Sequence, residues 1–137
     1  MIILAVDLGK ARTGLAICDK TEFLASPLAQ ISEKNPEQLL EKVAQVVLAK
    51  EVELIVVGLP KNMDGTEGES AQYAREFGKK LKEKTGIEVK MQDERGTTIT
   101  AHKYLNATNT RGKKRKNVVD SVAATIILQN FLDSRKF

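Results

Sequence analysis

The 137-residue sequence predicts an α/β protein: a mixed five-stranded sheet, three leading strands antiparallel and two later ones parallel, flanked by helices. Three observations predict it. Residues 2–6 are an unbroken apolar run, the pattern of a strand buried on both faces. The next two strand-like segments follow through connections too short for a crossover, which makes them antiparallel. Beyond them, strand patterns alternate with helical periodicity, and β-α-β crossovers demand parallel pairing.

Taken in order, the first strand runs into Asp7. Gly9 and Gly14 bracket a turn that leads to Leu15, Ala16, Ile17 and Cys18, the second strand of a hairpin. Residues 23–31 read as a third strand, and Pro27 within it indicates an edge or a bulge. Asn35 and Pro36 supply an N-cap and a first-turn proline, and Leu39, Leu40, Val43, Val46 and Val47 follow at helical spacing to about Lys50. Leu54, Ile55, Val56 and Val57 form a fully apolar strand, halted by Gly58, Leu59 and Pro60. Thr66 to Glu69 has the form of a capping box, opening a helix marked by Ala74, Phe77 and Leu81 and closed by Gly86. Ile87, Val89 and Met91 alternate with polar residues in a half-buried fifth strand. Residues 97–105 read as a short helix, and Asn117 as the cap of a last helix carrying Val118, Val122, Ile126 and Ile127.

Length suits one domain, residues 1–137. With one cysteine, Cys18, there is no intrachain disulfide and no cysteine-based zinc site, which points to a reducing, cytoplasmic setting. No run approaches the roughly 20 apolar residues of a membrane helix, and the start lacks the basic region of a signal peptide. The net charge of +4 is concentrated: Arg111, Lys113, Lys114, Arg115 and Lys116 fall together with no acid between Asn106 and Asn117. The remaining 17 of the 22 basic residues nearly balance the 18 acids. A basic block on a near-neutral body suits phosphate contact, although a solvated loop has the same composition. Aromatic content is 4%, so stacking on rings is not the main mode of grip.

Three acidic positions stand out. Asp7 ends a central strand, where a carboxylate must meet water, a hydrogen-bond partner or a metal, or else initiate a turn. Asp93 and Glu94 close the fifth strand before Arg95; neighbouring side chains of an extended chain point to opposite faces, so at most one joins Asp7. Asp120 falls in the first turn of the last helix, where the helix dipole favours a carboxylate in any case. Acids brought together from remote segments are what hard divalent cations need, and such cations assist phosphodiester cleavage. The loop from Gly58 to Gly65 leads from a strand to a helix and offers Lys61 and backbone amides to a phosphate, without the spacing of an ATP-binding loop. His102, the one histidine, reads as a packing or surface residue.

The motifs Val6-Asp7-Leu8-Gly9 with Arg12-Thr13-Gly14, and Ile55 to Gly65 with its Gly-Leu-Pro-Lys-Asn-Met-Asp-Gly ending, resemble those of the YqgF (RuvX) family. Asp93-Glu94-Arg95 with Thr97-Thr98, and Asp120-Ser121-Val122-Ala123-Ala124, complete a pattern spanning nearly the whole chain. The resemblance implies an RNase H-like fold and a Mg²⁺- or Mn²⁺-dependent endonuclease similar to RuvC-type junction resolvases. It also implies a link to 5′-end maturation of precursor 16S ribosomal RNA. The family's metal-holding acids match Asp7, Glu94 and Asp120, with Asp93 the alternative to Glu94. Arg12, Lys61, Arg95, Arg111, Lys113, Lys114, Arg115 and Lys116 are the expected nucleic-acid contacts. The partners implied are structured RNA or branched DNA, and the resolvase reading adds a weak homodimer. Two departures are notable. Gly96 replaces a larger apolar residue, and Gly58 stands where the RuvC type carries an acid. The rival readings are a non-catalytic nucleic-acid-binding maturation factor and a phosphotransferase, the latter needing a second such domain to enclose ATP.

Overall fold

The computed structural model describes residues 1–62, 64–94 and 112–135, without the side chains of 112–121. The elements are β1 (Ile3–Leu8), β2 (Thr13–Ile17), β3 (Ser26–Ile31), α1 (Pro36–Ala49), β4 (Leu54–Leu59), α2 (Glu69–Thr85), β5 (Val89–Asp93) and α3 (Gly112–Ser134). They form one sheet in the order β3-β2-β1-β4-β5. β1 pairs antiparallel with β2 and β2 with β3, while β1–β4 and β4–β5 are parallel. The mixed sheet is the one the sequence pattern demands. Among the described residues no helix is long and apolar enough to cross a membrane.

Alternation along β1 and β4 divides the core between two faces. Leu4, Val6, Ile55 and Val57 pack with Leu39, Val43 and Val47 of α1 and with Ala74, Phe77 and Leu81 of α2. Ile3, Ala5 and Val56 turn the other way, onto Ala124, Ile127, Leu128 and Leu132 of α3. Both faces of the central strands are therefore covered, which is why they read as continuous apolar runs. Full burial of each Leu or Ile stabilises the fold by roughly 1.5–3 kcal/mol.

The caps are mixed in outcome. The Asn35 side chain accepts from the amides of Glu37 at 3.0 Å and Gln38 at 3.1 Å, as its position predicts. Gly86 ends α2 with a φ of 73°, where a side chain is disfavoured. The expected capping box does not form. α2 begins at Glu69 with Gly68 as its N-cap and no side-chain cap bond, because Thr66 turns back to Asp64 and Asn62 instead.

Three other boundaries differ from expectation. β3 starts at Ser26, because the Ala25 amide donates to the side chain of Gln129 on α3 rather than to the ladder. Its edge position and the register shift opposite it account for Pro27. β4 is not halted by Gly58 but pairs through it to Leu59. Finally, α3 begins at Gly112, so Asn117 lies inside the helix rather than capping it. Lys113 to Lys116 are good helix formers and nothing after Gly112 breaks the pattern. Lys113 to Lys116 of the basic block therefore occupy turns of a helix rather than a loop. The helix expected over 97–105, with His102 and Gly96, lies outside the described residues.

Candidate metal and nucleic-acid site

Asp7 is the penultimate residue of the central strand, directly opposite Gly14 on β2. Glycine there places no side chain beside the carboxylate. The turn that follows is held by the Gly9 amide donating to the Arg12 carbonyl at 3.0 Å. A Cβ at Gly9 would collide with that carbonyl oxygen, so the tight hairpin tip requires glycine.

Odd-numbered residues of β1 face α3, and this places Asp7 on the α3 side of the sheet. Glu94 arrives at the same place from β5. Its amide donates to the Leu59 carbonyl at 3.2 Å, continuing the β4–β5 ladder one step past Asp93. The Glu94 and Asp7 side chains share a hydrogen bond. Of the two adjacent acids it is thus Glu94 that meets Asp7, while Asp93 is exposed.

Gly58 makes this meeting possible. A Cβ on Gly58 would overlap the Glu94 carboxylate and lie 2.8 Å from Ile127 Cδ1 of α3. The Glu94 side chain fills the volume that an acid at position 58 would need, a physical account of why glycine stands there. The sequence signal was present: a lone glycine within an apolar strand marks a close approach.

Electrostatics bind the two acids together. Burial, then the Asp7 charge, the hydrogen bond to Asp7 and the Asp93 charge push the Glu94 carboxyl up to about 8. At neutral pH the pair therefore holds a proton between them. Two carboxylates forced into one half-buried place, with a proton offsetting their repulsion, form a donor set suited to a hard divalent cation. Among the described residues no three acidic, histidine or cysteine side chains gather tightly enough to hold a metal. Asp120, the third expected acid, has its side chain outside the description. Its backbone lies on the stripe of α3 that carries Ala124 and Ile127, two turns or about 10 Å before Ile127. Contacts of Gln129 with Ala25 and of Arg135 with Glu22 place the helix C-terminus at the opposite end of the sheet. The start of α3, with Lys113, Lys114, Arg115 and Lys116, is consequently directed toward the Asp7 end.

The remaining expected contacts are dispersed. Arg12 sits half-buried in the hairpin tip beside Asp7. Lys61 follows β4 and forms a backbone bridge with Glu67. Several amides of the surrounding loop are engaged internally. Those of Lys61, Asn62, Gly65 and Thr66 bond to Leu59, Thr66, Asn62 and Asp64 within the loop itself. Arg95 and Arg111 lie outside the described residues.

Comparison with known proteins bears on the family and the fold. Residues 1–134 match the model of the RuvX family, described as Holliday junction resolvase. A relative from Clostridium botulinum, named "Putative pre-16S rRNA nuclease", is 44% identical over 133 residues, covering 97% of both chains. One of the same name from Clostridium beijerinckii is 42% identical over 138 residues, covering 99% of this chain and 100% of the relative. The solved structure of Thermus thermophilus RuvC in complex with a Holliday junction substrate superposes with a TM-score of 0.63 at 13% identity, over 99% of this chain and 96% of that one. At that identity the likeness is one of fold, and the fold is RNase H-like. Sequence motifs, sheet order and relatives agree, and the chain belongs to the YqgF (RuvX) family.

Proposed function

We propose that this chain, acting as one domain in the cytoplasm, is a Mg²⁺- or Mn²⁺-dependent endonuclease that matures the 5′ end of precursor 16S ribosomal RNA. The observation that carries this reading is the Asp7–Glu94 pair, two carboxylates brought into contact at the end of a central strand. The name borne by the 44%-identical relative supports the RNA substrate.

Asp7 and Glu94, joined by Asp120, would hold the cation, which when bound supplies charge neutralisation and activation of water for phosphodiester hydrolysis. Each protein group has a definable task. Asp7 sits on the central strand of the sheet and fixes the position of the centre. Glu94 gives up its proton before both carboxylates can act together as acceptors, and Gly58 keeps the space it occupies open. The opening turns of α3 carry four cationic residues and no first-turn acid, an arrangement that opposes the helix dipole. A phosphate backbone lying along Lys113, Lys114, Arg115 and Lys116, and along Arg12, Lys61, Arg95 and Arg111, would relieve that opposition.

A second reading, resolution of four-way DNA junctions, is favoured by the family description and by the RuvC-like fold. It requires a homodimer to cut two strands. The test is side-by-side incubation of a precursor 16S 5′ fragment and a four-way DNA junction with Mg²⁺, Mn²⁺ or EDTA, using Asp7→Asn as control. Metal-dependent cutting of the RNA, lost in the variant, supports maturation. Symmetric junction cutting in place of RNA cutting would replace it with resolution, and salt-sensitive binding without cleavage of either would leave a binding factor.

A further inference from the structure

A cleft of about 220 Å³ opens on the other face of the sheet, at the same strand end as Asp7. It is lined by Leu8, Gly9 and Lys10 of the hairpin tip, Lys34 before α1, and Ser70 and Tyr73 of α2. Leu8 is the immediate neighbour of Asp7 and points to the opposite face. The cleft and the carboxylate pair are therefore separated by the width of the hairpin tip.

The chemistry of the walls is that of a nucleotide site. Lys10 and Lys34 are exposed, and neither ammonium is engaged in an ion pair among the described residues. The one carboxylate in the wall, Glu33, is offset by Lys42 at 2.9 Å and by the Asn35 amide. Charge in the cleft is thus positive. The first turn of α2, at Ser70, adds amides that receive no side-chain cap. Tyr73 is 38% exposed, and its ring is braced by Phe77 at a centroid distance of 6.4 Å. In a chain with few aromatics, a braced, accessible ring beside two lysines is a stacking platform with phosphate contacts next to it.

We propose that this cleft binds one nucleotide of a single strand leading away from the Asp7–Glu94 centre, its phosphate on Lys10 and Lys34 and its base on Tyr73. The occupant is a single strand, because a base must be unstacked to lie on the ring. This deepens the nuclease reading and rests on it for the direction of the strand, yet binding is measurable without cleavage.

The test uses the full chain in EDTA, so that no probe is cut. Fluorescence anisotropy follows a labelled RNA of about 12 nucleotides, the DNA of the same sequence and a blunt duplex, each over a salt series. Tyr73→Ala should weaken single-strand binding at least fivefold with an unchanged salt slope, and Tyr73→Phe should restore it. Lys10→Gln with Lys34→Gln should reduce the slope for single strands by about 1.4. The control pair Lys79→Gln with Lys82→Gln, three turns along α2, should weaken single strands and duplex alike. Comparison of RNA with DNA identifies which backbone is preferred, and either preference agrees with the proposal. Equal binding of single strand by wild type and Tyr73→Ala overturns it, as does a Lys10/Lys34 effect no different from the control pair. Loss of binding in the cleft variants of a protein that cuts nothing would uphold the cleft and reject the nuclease reading. Cleavage of RNA with unaltered binding in those variants would do the reverse.

Discussion

Gly58→Ala is the most informative single substitution in this molecule. The new methyl would overlap the Glu94 carboxylate and approach Ile127 Cδ1 to 2.8 Å, whereas relaxed carbon contacts lie near 3.5–4.0 Å. Both obstructing atoms are the far ends of flexible side chains, so the fold can yield, at a cost of about 1–3 kcal/mol for overpacking. In a chain of this length that lowers Tm by roughly 4–12 °C. The functional loss should be larger than the stability loss, because the group that yields most readily is Glu94, swung away from Asp7. Freed into water, Glu94 returns toward its ordinary value near 4.5, and the pH dependence of stability flattens. Adding Ile127→Val removes the Cδ1 atom and should recover part of the Tm while leaving activity low. Calorimetry and a metal-dependent cleavage assay on wild type, the single variant and the double variant separate the two effects. Full activity in Gly58→Ala, together with a wild-type pH profile, would refute the claim that glycine is there to seat Glu94.

Further expectations concern pH, the turn and a cap. In the folded protein Glu94 titrates near 8 and in the unfolded chain near 4.5, so the native state binds the extra proton between those values. Without divalent cation, stability should therefore fall as pH rises from about 5 to 8, by roughly 3–5 kcal/mol from this group, and Glu94→Gln should abolish the fall; urea titrations at both pH values measure it. Gly9→Ala pushes a methyl into a backbone carbonyl that cannot move without opening the hairpin, so it should cost more than 1 kcal/mol and lower cleavage as well, read by the same two assays. Asn35→Ala removes two cap bonds on an exposed helix start; a loss of about 1 kcal/mol with unchanged cleavage is expected from denaturation and activity measurements.

Much of this architecture is legible from periodicity and turn chemistry. The apolar runs of β1 and β4, the Asn35 cap and the Gly86 stop each rest on local forces, and each stands where those forces place it. Some of the misread features depend on distant partners. Gln129 takes the Ala25 amide across 104 positions and shortens β3, and no local pattern announces that bond. Asn117 looked like a cap because Asn favours caps, but the helix-forming run before it carries α3 back to Gly112. At the site, alternation limited the choice between Asp93 and Glu94 to one, but deciding which needed the register of β5 against β4. Gly58 was visible as a departure, and its reason lay in a side chain 36 positions away. The cleft at Lys10, Lys34 and Tyr73 joins segments that only the folded chain brings together.

The central claim is that Asp7 and Glu94 act as one cation-holding unit in phosphodiester hydrolysis. The most direct measurement is the Mg²⁺-dependent cleavage rate of a precursor 16S 5′ fragment by Asp7→Asn, Glu94→Gln and Asp93→Asn beside wild type, each checked for folding by circular dichroism. The account predicts loss of at least a hundredfold in the first two, near wild-type activity in Asp93→Asn, and no cleavage in EDTA. Retained cleavage in folded Glu94→Gln, or its loss in Asp93→Asn alone, would contradict it.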